Sequence, residues 1–212
     1  MKSKLFGICG SSGSGKSFIV KFLKKNLGSE ILSVIYQDNY YKLREHQEKD
    51  KLGNYNFDLP SSFHQNELIA DIIKIKSGKS ILRKEYTFNN PSIKPNLIKV
   101  EPNSVIIVEG LFLFNDPNIS KFFDKKIFID CDMSIMIDRR IKRDHEKRGY
   151  DKSDVLYKYN NHVIPAYNKF ILPFKEKNLR SLFLNNYSKF DFNTKILNTK
   201  KNNTFIICVP TP

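Results

Sequence analysis

Eight residues near the amino terminus, Gly10-Ser11-Ser12-Gly13-Ser14-Gly15-Lys16-Ser17, constrain this chain more than any other stretch. They meet every fixed position of G-x-x-x-x-G-K-[ST], a pattern that works only between a strand and a helix. Before them, Leu5-Phe6-Gly7-Ile8-Cys9 is a short apolar run of the kind that forms a buried strand. After them, apolar residues at 18, 19, 22 and 23 follow a helical spacing. In that setting the glycines let the backbone curl until successive N–H groups face phosphate oxygens, and the helix N-terminus adds partial positive charge. Lys16 then reaches the β- and γ-phosphates, and the Ser17 hydroxyl is placed to ligate Mg²⁺. The flanks separate this loop from an ordinary Gly/Ser turn, so the motif predicts a nucleoside triphosphate site.

The rest of the chain alternates strand and helix, which predicts an α/β fold with a mostly parallel sheet flanked by helices. Five strands are expected: the run before the loop, Ile31–Tyr36, Ser104–Val108, Lys126–Asp130 and a last one at Phe205–Val209. Residues 43–62, polar and broken by Gly53 and Pro60, predict a long surface connection. Phe63–Lys76 predicts an amphipathic helix with Leu68, Ile69, Ile72, Ile73 and Ile75 on its apolar side. Two alternating stretches around Asn89-Asn90-Pro91 predict a β-ribbon over about 80–100. A charged helix from Ser134 to about Lys147, then Gly149, and a second helix from Ser153 towards Val163 follow. The 212 residues suit one compact domain over the whole chain, with no internal repeat or interdomain linker and a tail after about residue 186 left unassigned.

Lysine and arginine outnumber aspartate and glutamate 36 to 22, a formal net charge of +14. Such an excess fits nucleic acid, an anionic membrane or phosphorylated ligands. The lysines are scattered, however, with adjacent pairs only at 24–25, 125–126 and 200–201, so most of the charge reads as solvated surface and a nucleic-acid partner is not expected. No segment approaches the length of a membrane span, and the apolar run after Lys4 is too short for a signal sequence. Cys9, Cys131 and Cys208 show no metal-ligand spacing, and two of them end apolar runs. Free, buried thiols and a cytoplasmic setting are the expectation.

Ligands of open α/β sheets lie at the carboxyl ends of the strands, where Asp38, Glu109 and Asp130 stand. Phosphoryl transfer asks for positioning and charge neutralisation. It needs a carboxylate to orient the attacking hydroxyl, which suits Asp38, and another near Mg²⁺, which suits Glu109. The charged helix carries Arg139, Arg140 and Arg143, followed by Arg148, at spacings that put Arg139 and Arg140 beside Arg143. Spacing leaves two readings open: a clamp on transferring phosphates, or a solvated face balanced by Asp138, Asp144 and Glu146. Tyr40-Tyr41 and Tyr55-Asn56-Phe57-Asp58-Leu59-Pro60 read as loop anchors unless a nucleoside lies near. His46, His64, His145 and His162 form no pair at metal spacing and carry no assigned role.

These segments resemble, in family order, the uridine kinases (uridine–cytidine kinases) of the P-loop kinase superfamily: the loop at 10–17, YQDNYYK at 36–42, NYNFDLPSSF at 54–63, EYTF at 85–88, VIIVEG at 105–110, RRIKRDHEKRG at 139–149 and the helix at 157–177. The resemblance spans roughly residues 4–185. It implies a P-loop kinase fold with a projecting β-ribbon and a helical lid over about 134–152, ATP or GTP as phosphate donor, Mg²⁺, a small-molecule nucleoside acceptor phosphorylated at its 5′-hydroxyl, and a homo-oligomer, a tetramer in this family. It implies that Asp38 accepts the hydroxyl proton and that Ser17, Glu109 and Asp38 surround Mg²⁺. Tyr41, Phe57, Asp58, Tyr86, Phe88 and Arg140 would hold the nucleoside, while Arg143 and Arg148 would join the loop in embracing the phosphates.

The departures fall mainly on the nucleoside side. Pro91 and Leu59 stand where the family has histidines, Lys147 and Tyr150 replace a glutamate and an arginine of the lid, and Lys158 replaces a glutamine. Phosphoryl-transfer residues are kept while several that read the nucleoside are changed. A kinase for another nucleoside or a phosphorylated sugar is therefore a competing expectation, as is a nucleotide-binding protein of reduced activity that contacts RNA. No Asn-Lys-x-Asp segment supports a GTPase.

Overall fold

The computed structural model describes residues 3–90, 92–176, 180–183 and 204–208. Strand β1 (Lys4–Cys9) leads through the glycine loop into α1 (Lys16–Leu27), followed by β2 (Leu32–Tyr36) and a tight turn at Gln37–Tyr40. A short antiparallel pair, β3 (Glu48–Lys49) and β4 (Tyr55–Asn56), precedes α2 (Gln65–Lys76). The ribbon strands β5 (Ile81–Lys84) and β6 (Leu97–Val100) come next, then β7 (Val105–Gly110), the single turn α3 (Pro117–Ser120) and β8 (Lys125–Asp130). Helices α4 (Met133–Arg148) and α5 (Lys152–Lys158) follow, α4 spanning most of the segment expected to be the lid, and β9 (Arg180–Phe183) and β10 (Thr204–Cys208) complete the sheet.

The main sheet runs β2-β7-β1-β8-β10-β9 with every neighbouring pair parallel. It has six strands where the sequence predicts five. The added β9 lies at the edge, paired with β10, and its local sequence has only Leu182-Phe183-Leu184 as an apolar run, too short to mark a strand without its neighbour. The central strands are continuous apolar runs because both faces are covered. Alternate residues point to opposite sides. Phe6, Ile8, Leu32, Val34 and Ile107 pack with Ile19, Val20 and Leu23 of α1, whereas Leu5, Ile35, Ile106 and Val108 pack with Leu68, Ile72 and Ile75 of α2.

Two helix faces differ from the periodic pattern. Phe18 is 54% exposed, and the buried stripe of α1 is Ile19, Val20 and Leu23. Phe18 follows Ser17 at the open end of the loop, where the helix meets a cavity rather than the sheet. In α2 Ile73 faces out, while Asp71 is buried to receive the Tyr40 hydroxyl (2.8 Å) and the Arg83 Nε. Arg83 also lies over the Tyr40 ring, 4.4 Å from its centroid, so this carboxylate ties the ribbon to α2 and to the turn after β2. The connection over 43–62 contains the β3–β4 pair because Asp50 accepts the N–H groups of Leu52 and Asn54, closing a turn.

Beyond α5 the helix continues through a widened π-helical stretch at Tyr159–Val163, an α turn at Ile164–Ala166 and a second π stretch at Tyr167–Ile171. Pro165 sits between the widened turns. It offers no N–H and its ring would clash with a carbonyl one turn back, which a wider turn relieves. Cys9 is a buried free thiol and Cys131 a partly exposed one, while the Cys208 side chain and Pro91 lie outside the described residues. Among the described residues no helix is long and apolar enough to cross a membrane.

The end of β7 is locked to the turn after β2. The buried Gln37 Oε1 accepts the N–H groups of Leu111 (2.8 Å) and Phe112 (3.0 Å), and a Cβ on Gly110 would lie 2.3 Å from that oxygen. Gly110→Ala is expected to lower unfolding stability by about 1–3 kcal/mol, the usual cost of overpacking. A urea midpoint equal to the parent's would show that this junction tolerates a methyl group.

Candidate active site

A cavity of about 620 Å³ opens where β1, β2 and β7 end. Its floor is the glycine loop, which packs so tightly against α4 that a Cβ on Gly13 (φ 84°) would lie 2.3 Å from the Met136 carbonyl oxygen. Gly10, Ser11 and Ser14 form the buried back of the loop, and Ser12, Gly13, Gly15, Lys16 and Ser17 line the cavity. Lys16 is 7% exposed, with its Nζ donating to the Ser11 carbonyl at 2.9 Å and standing 3.9 Å from Glu109 Oε1. These two contacts hold the ammonium across the loop.

The parallel register sets the acids around it. Glu109 pairs in register with Ile8 of β1 and Tyr36 of β2, two residues before Asp38. Burial pushes the Glu109 carboxyl up to about 7, with Lys16 opposing and Asp38 adding to the rise. Burial likewise raises Asp38, against the pull of Lys16, Arg148 and Arg143, with Asp58 on the raising side. Ser17, Glu109 and Asp38 all face the cavity, a set of hard oxygen donors suited to a Mg²⁺-like cation. Among the described residues no group of three or more His, Cys, Asp or Glu side chains could hold a metal ion. Asp130, the third acid at a strand end, instead accepts from Lys175 at 2.9 Å.

The arginines gather on one carboxylate. Asp144, 3% exposed, meets Arg143 Nε at 2.8 Å, Arg148 Nη1 at 3.0 Å and Arg140 Nε at 3.4 Å. Arg143 also donates to Ser12 Oγ (3.3 Å), linking lid and loop, and Arg148 stacks 3.7 Å from the Phe88 ring centroid, linking lid and ribbon. Arg139 turns to the Cys131 sulfur at 3.6 Å. Asp144 is the ion-pair partner, but buried rather than on a solvated face, and its pairing holds the guanidiniums at the cavity wall. The organising role of Asp144 had no sequence signal beyond its place among the arginines.

Opposite the loop, Asp58 takes Arg140 in a two-pronged pair (3.2 and 3.3 Å), both side chains buried. Aromatic rings extend the wall from there. Tyr41 lies 4.1 Å from Phe63, 4.8 Å from Tyr86 and 6.0 Å from Phe57, and Tyr86 lies 5.0 Å from Phe88. The Tyr86 N–H donates to Asn39 Oδ1 (3.0 Å), which draws the ribbon in beside Asp38. Thus Tyr41, Phe57, Asp58, Tyr86, Phe88 and Arg140, from four separate segments, meet on one side of the cavity. Lys158 also lines it, paired to Asp154 at 2.7 Å and 4.9 Å above the Tyr150 ring, whereas Leu59 begins the turn Pro60–Ser62.

The model of the phosphoribulokinase/uridine kinase family matches residues 5–179. The chain is 37% identical over 177 residues to the uridine kinase of Clostridium perfringens, covering 83% of this chain and 85% of that protein. It is 36% identical over 171 residues to the uridine kinase of Brevibacillus brevis, covering 81% and 80%. The fold is similar to that of D-glycerate 3-kinase from Cryptococcus neoformans, with a TM-score of 0.59 at 15% identity over 80% of this chain and 79% of that one. The chain belongs to the phosphoribulokinase/uridine kinase family. It is a phosphotransferase.

Within this family frame, the lid carries a measurable charge signature. Burial disfavours the Asp144 carboxylate, but the hydrogen bond from Arg143 and the charges of Arg143, Arg148 and Arg140 outweigh it and hold the carboxyl below its usual value. A depressed folded-state pKa stabilises the fold above the unfolded value of about 3.9 and loses that contribution as pH falls through the folded one. Asp144→Asn is therefore expected to flatten the acid limb of stability below about pH 4. An acid limb as steep as the parent's, followed by urea unfolding from pH 5 to 2.5, would place the lost protons elsewhere.

Proposed function

We propose that this protein transfers the γ-phosphoryl group of ATP to the 5′-hydroxyl of uridine or cytidine. The observation that carries this reading is the position of Asp38. It stands between the phosphate loop with Lys16 on one side and the Asp58–Arg140 pair with the aromatic wall on the other. A donor phosphate on the loop and a sugar hydroxyl beside Asp58 would meet at that carboxylate. The names of the relatives support a pyrimidine nucleoside as acceptor.

In this reading the loop N–H groups and Lys16 bind the phosphates, and Arg143 and Arg148 neutralise charge on the transferring group. Ser17 and Glu109, with Asp38 close by, would hold Mg²⁺, which would supply further neutralisation of phosphate charge when bound. Asp38 takes the proton from the 5′-hydroxyl as its oxygen bonds to the γ-phosphorus and the bond to the β–γ bridging oxygen breaks, releasing ADP. Burial that raises the Asp38 carboxyl makes it a better proton acceptor. Asp58 and Arg140 orient the ribose, and Tyr41, Phe57, Tyr86 and Phe88 enclose the base and exclude water.

Asp38→Asn is expected to bind ATP nearly as the parent does and to turn over on the order of 10²–10⁴-fold more slowly. Turnover within a few-fold of the parent would remove Asp38 from proton transfer. The same assay across nucleosides and phosphorylated sugars tests the acceptor. Uridine and cytidine are expected to be used with modest preference, because an apolar wall separates near-isosteres by only about 10–200-fold. Their 2′-deoxy forms are expected to be poorer than either, since the Asp58–Arg140 pair faces the sugar. A phosphorylated sugar used in preference to every nucleoside would overturn the acceptor assignment.

A further inference from the structure

The segment carrying Phe57 and Asp58 is anchored to the helices at two points, and one of them has no part in the reading above. A two-residue ribbon such as β3–β4 has little stability of its own. Asp58 secures its far end on Arg140 of α4. Its near end is secured by Asp50. One carboxylate oxygen accepts the Leu52 and Asn54 N–H groups, both at 2.9 Å, and the other accepts the Tyr157 hydroxyl and His162 Nε2, both at 2.8 Å. A carboxylate has about four acceptor sites, and all are used. His162 is 2% exposed, sits in the π-helical turn Tyr159–Val163 and borders the cavity, and its ring meets the Tyr157 ring edge-on at 6.0 Å. Because the acceptor here is a carboxylate, the Nε2 nitrogen carries the proton of this bond.

We infer that Asp50, Tyr157 and His162 form a clamp that positions the acceptor-binding segment, so that His162 and Asp50 are positioning residues for the sugar side of the reaction. The inference rests on the proposed role of Asp58 in holding the acceptor. From Asp50 the chain turns at 51–54, passes through β4 and reaches Phe57-Asp58, so slack at the turn is delivered directly to those two residues. The phosphate loop lies between β1 and α1, and among the described residues no hydrogen bond joins it to the clamp. Loss of the clamp therefore weakens acceptor binding and spares the donor.

The test combines kinetics with amide hydrogen exchange over residues 50–58 in His162→Ala, His162→Gln and Tyr157→Phe. Gln presents an N–H near the Nε2 position, and Tyr157→Phe deletes one hydroxyl should the alanine variant fail to fold. His162→Ala is expected to raise the uridine KM about tenfold, as for a lost hydrogen bond to a charged group, with the ATP KM within twofold of the parent. Exchange over 50–58 should quicken by a similar factor. His162→Gln should restore both, and Tyr157→Phe should move both in the same direction by less. Unchanged exchange, equal rises in both KM values, or no rescue by Gln would overturn the clamp. If the parent phosphorylates no nucleoside, the proposed function fails on its own, and the clamp stands or falls on the exchange measurement and its rescue.

Discussion

Both faces of the parallel sheet are buried, so charged groups can meet only where its strands end. This constraint organises the whole molecule. α1 covers one face and α2 with the ribbon covers the other, leaving the carboxyl edge of β1, β2 and β7 as the place where Lys16, Asp38 and Glu109 converge. Parallel register makes the convergence specific. Ile8, Tyr36 and Glu109 lie at one level, and the Gln37 bonds to Leu111 and Phe112 hold the turn bearing Asp38 against the end of β7. Both acids are raised by burial and lowered by Lys16, so positive charge beside them favours their ionised forms.

The opposite wall solves the complementary problem of keeping several guanidiniums close together. Arg140, Arg143 and Arg148 would repel one another were Asp144 not buried among them. Each keeps further donors free for a second contact: Asp58, Ser12 and the Phe88 face respectively. Through those contacts α4 is joined to the Phe57-Asp58 segment, the phosphate loop and the ribbon at once. A polyanionic ligand entering the cavity meets seven cationic side chains against five carboxylates along its lining, a local excess that the scattered surface lysines do not supply.

Much of this was legible from local pattern. The glycine loop, the strand ends at Asp38 and Glu109, the ribbon over about 80–100 and the lid helices follow from motif, apolar runs and turn residues, because those features act over a few neighbouring positions. The misreadings share one cause. Phe18 fits a helical apolar stripe but faces the cavity, Ile73 fits another but faces solvent, and Asp71 breaks that stripe yet is buried on Tyr40 and Arg83. In each case a distant segment decided the environment, and periodicity carries no information about distant segments. The edge strand β9 escaped notice for the same reason, since its pairing with β10 and not its own composition defines it.

By itself, the sequence determined a phosphate-binding loop between a strand and a helix, an α/β chain around it, and the residue types a phosphoryl transfer needs. These are short-range properties, set by backbone geometry and side-chain chemistry within a turn or two. Only the tertiary structure decided which charges face one another. Asp58 and Arg140 are 82 positions apart and form one buried pair, and Asp50 and His162, 112 apart, share a hydrogen bond although neither carried a role in the sequence. Pairings at such separation depend on how the helices settle on the sheet, because a carboxylate leaves water at little cost only where folding brings its donors to it.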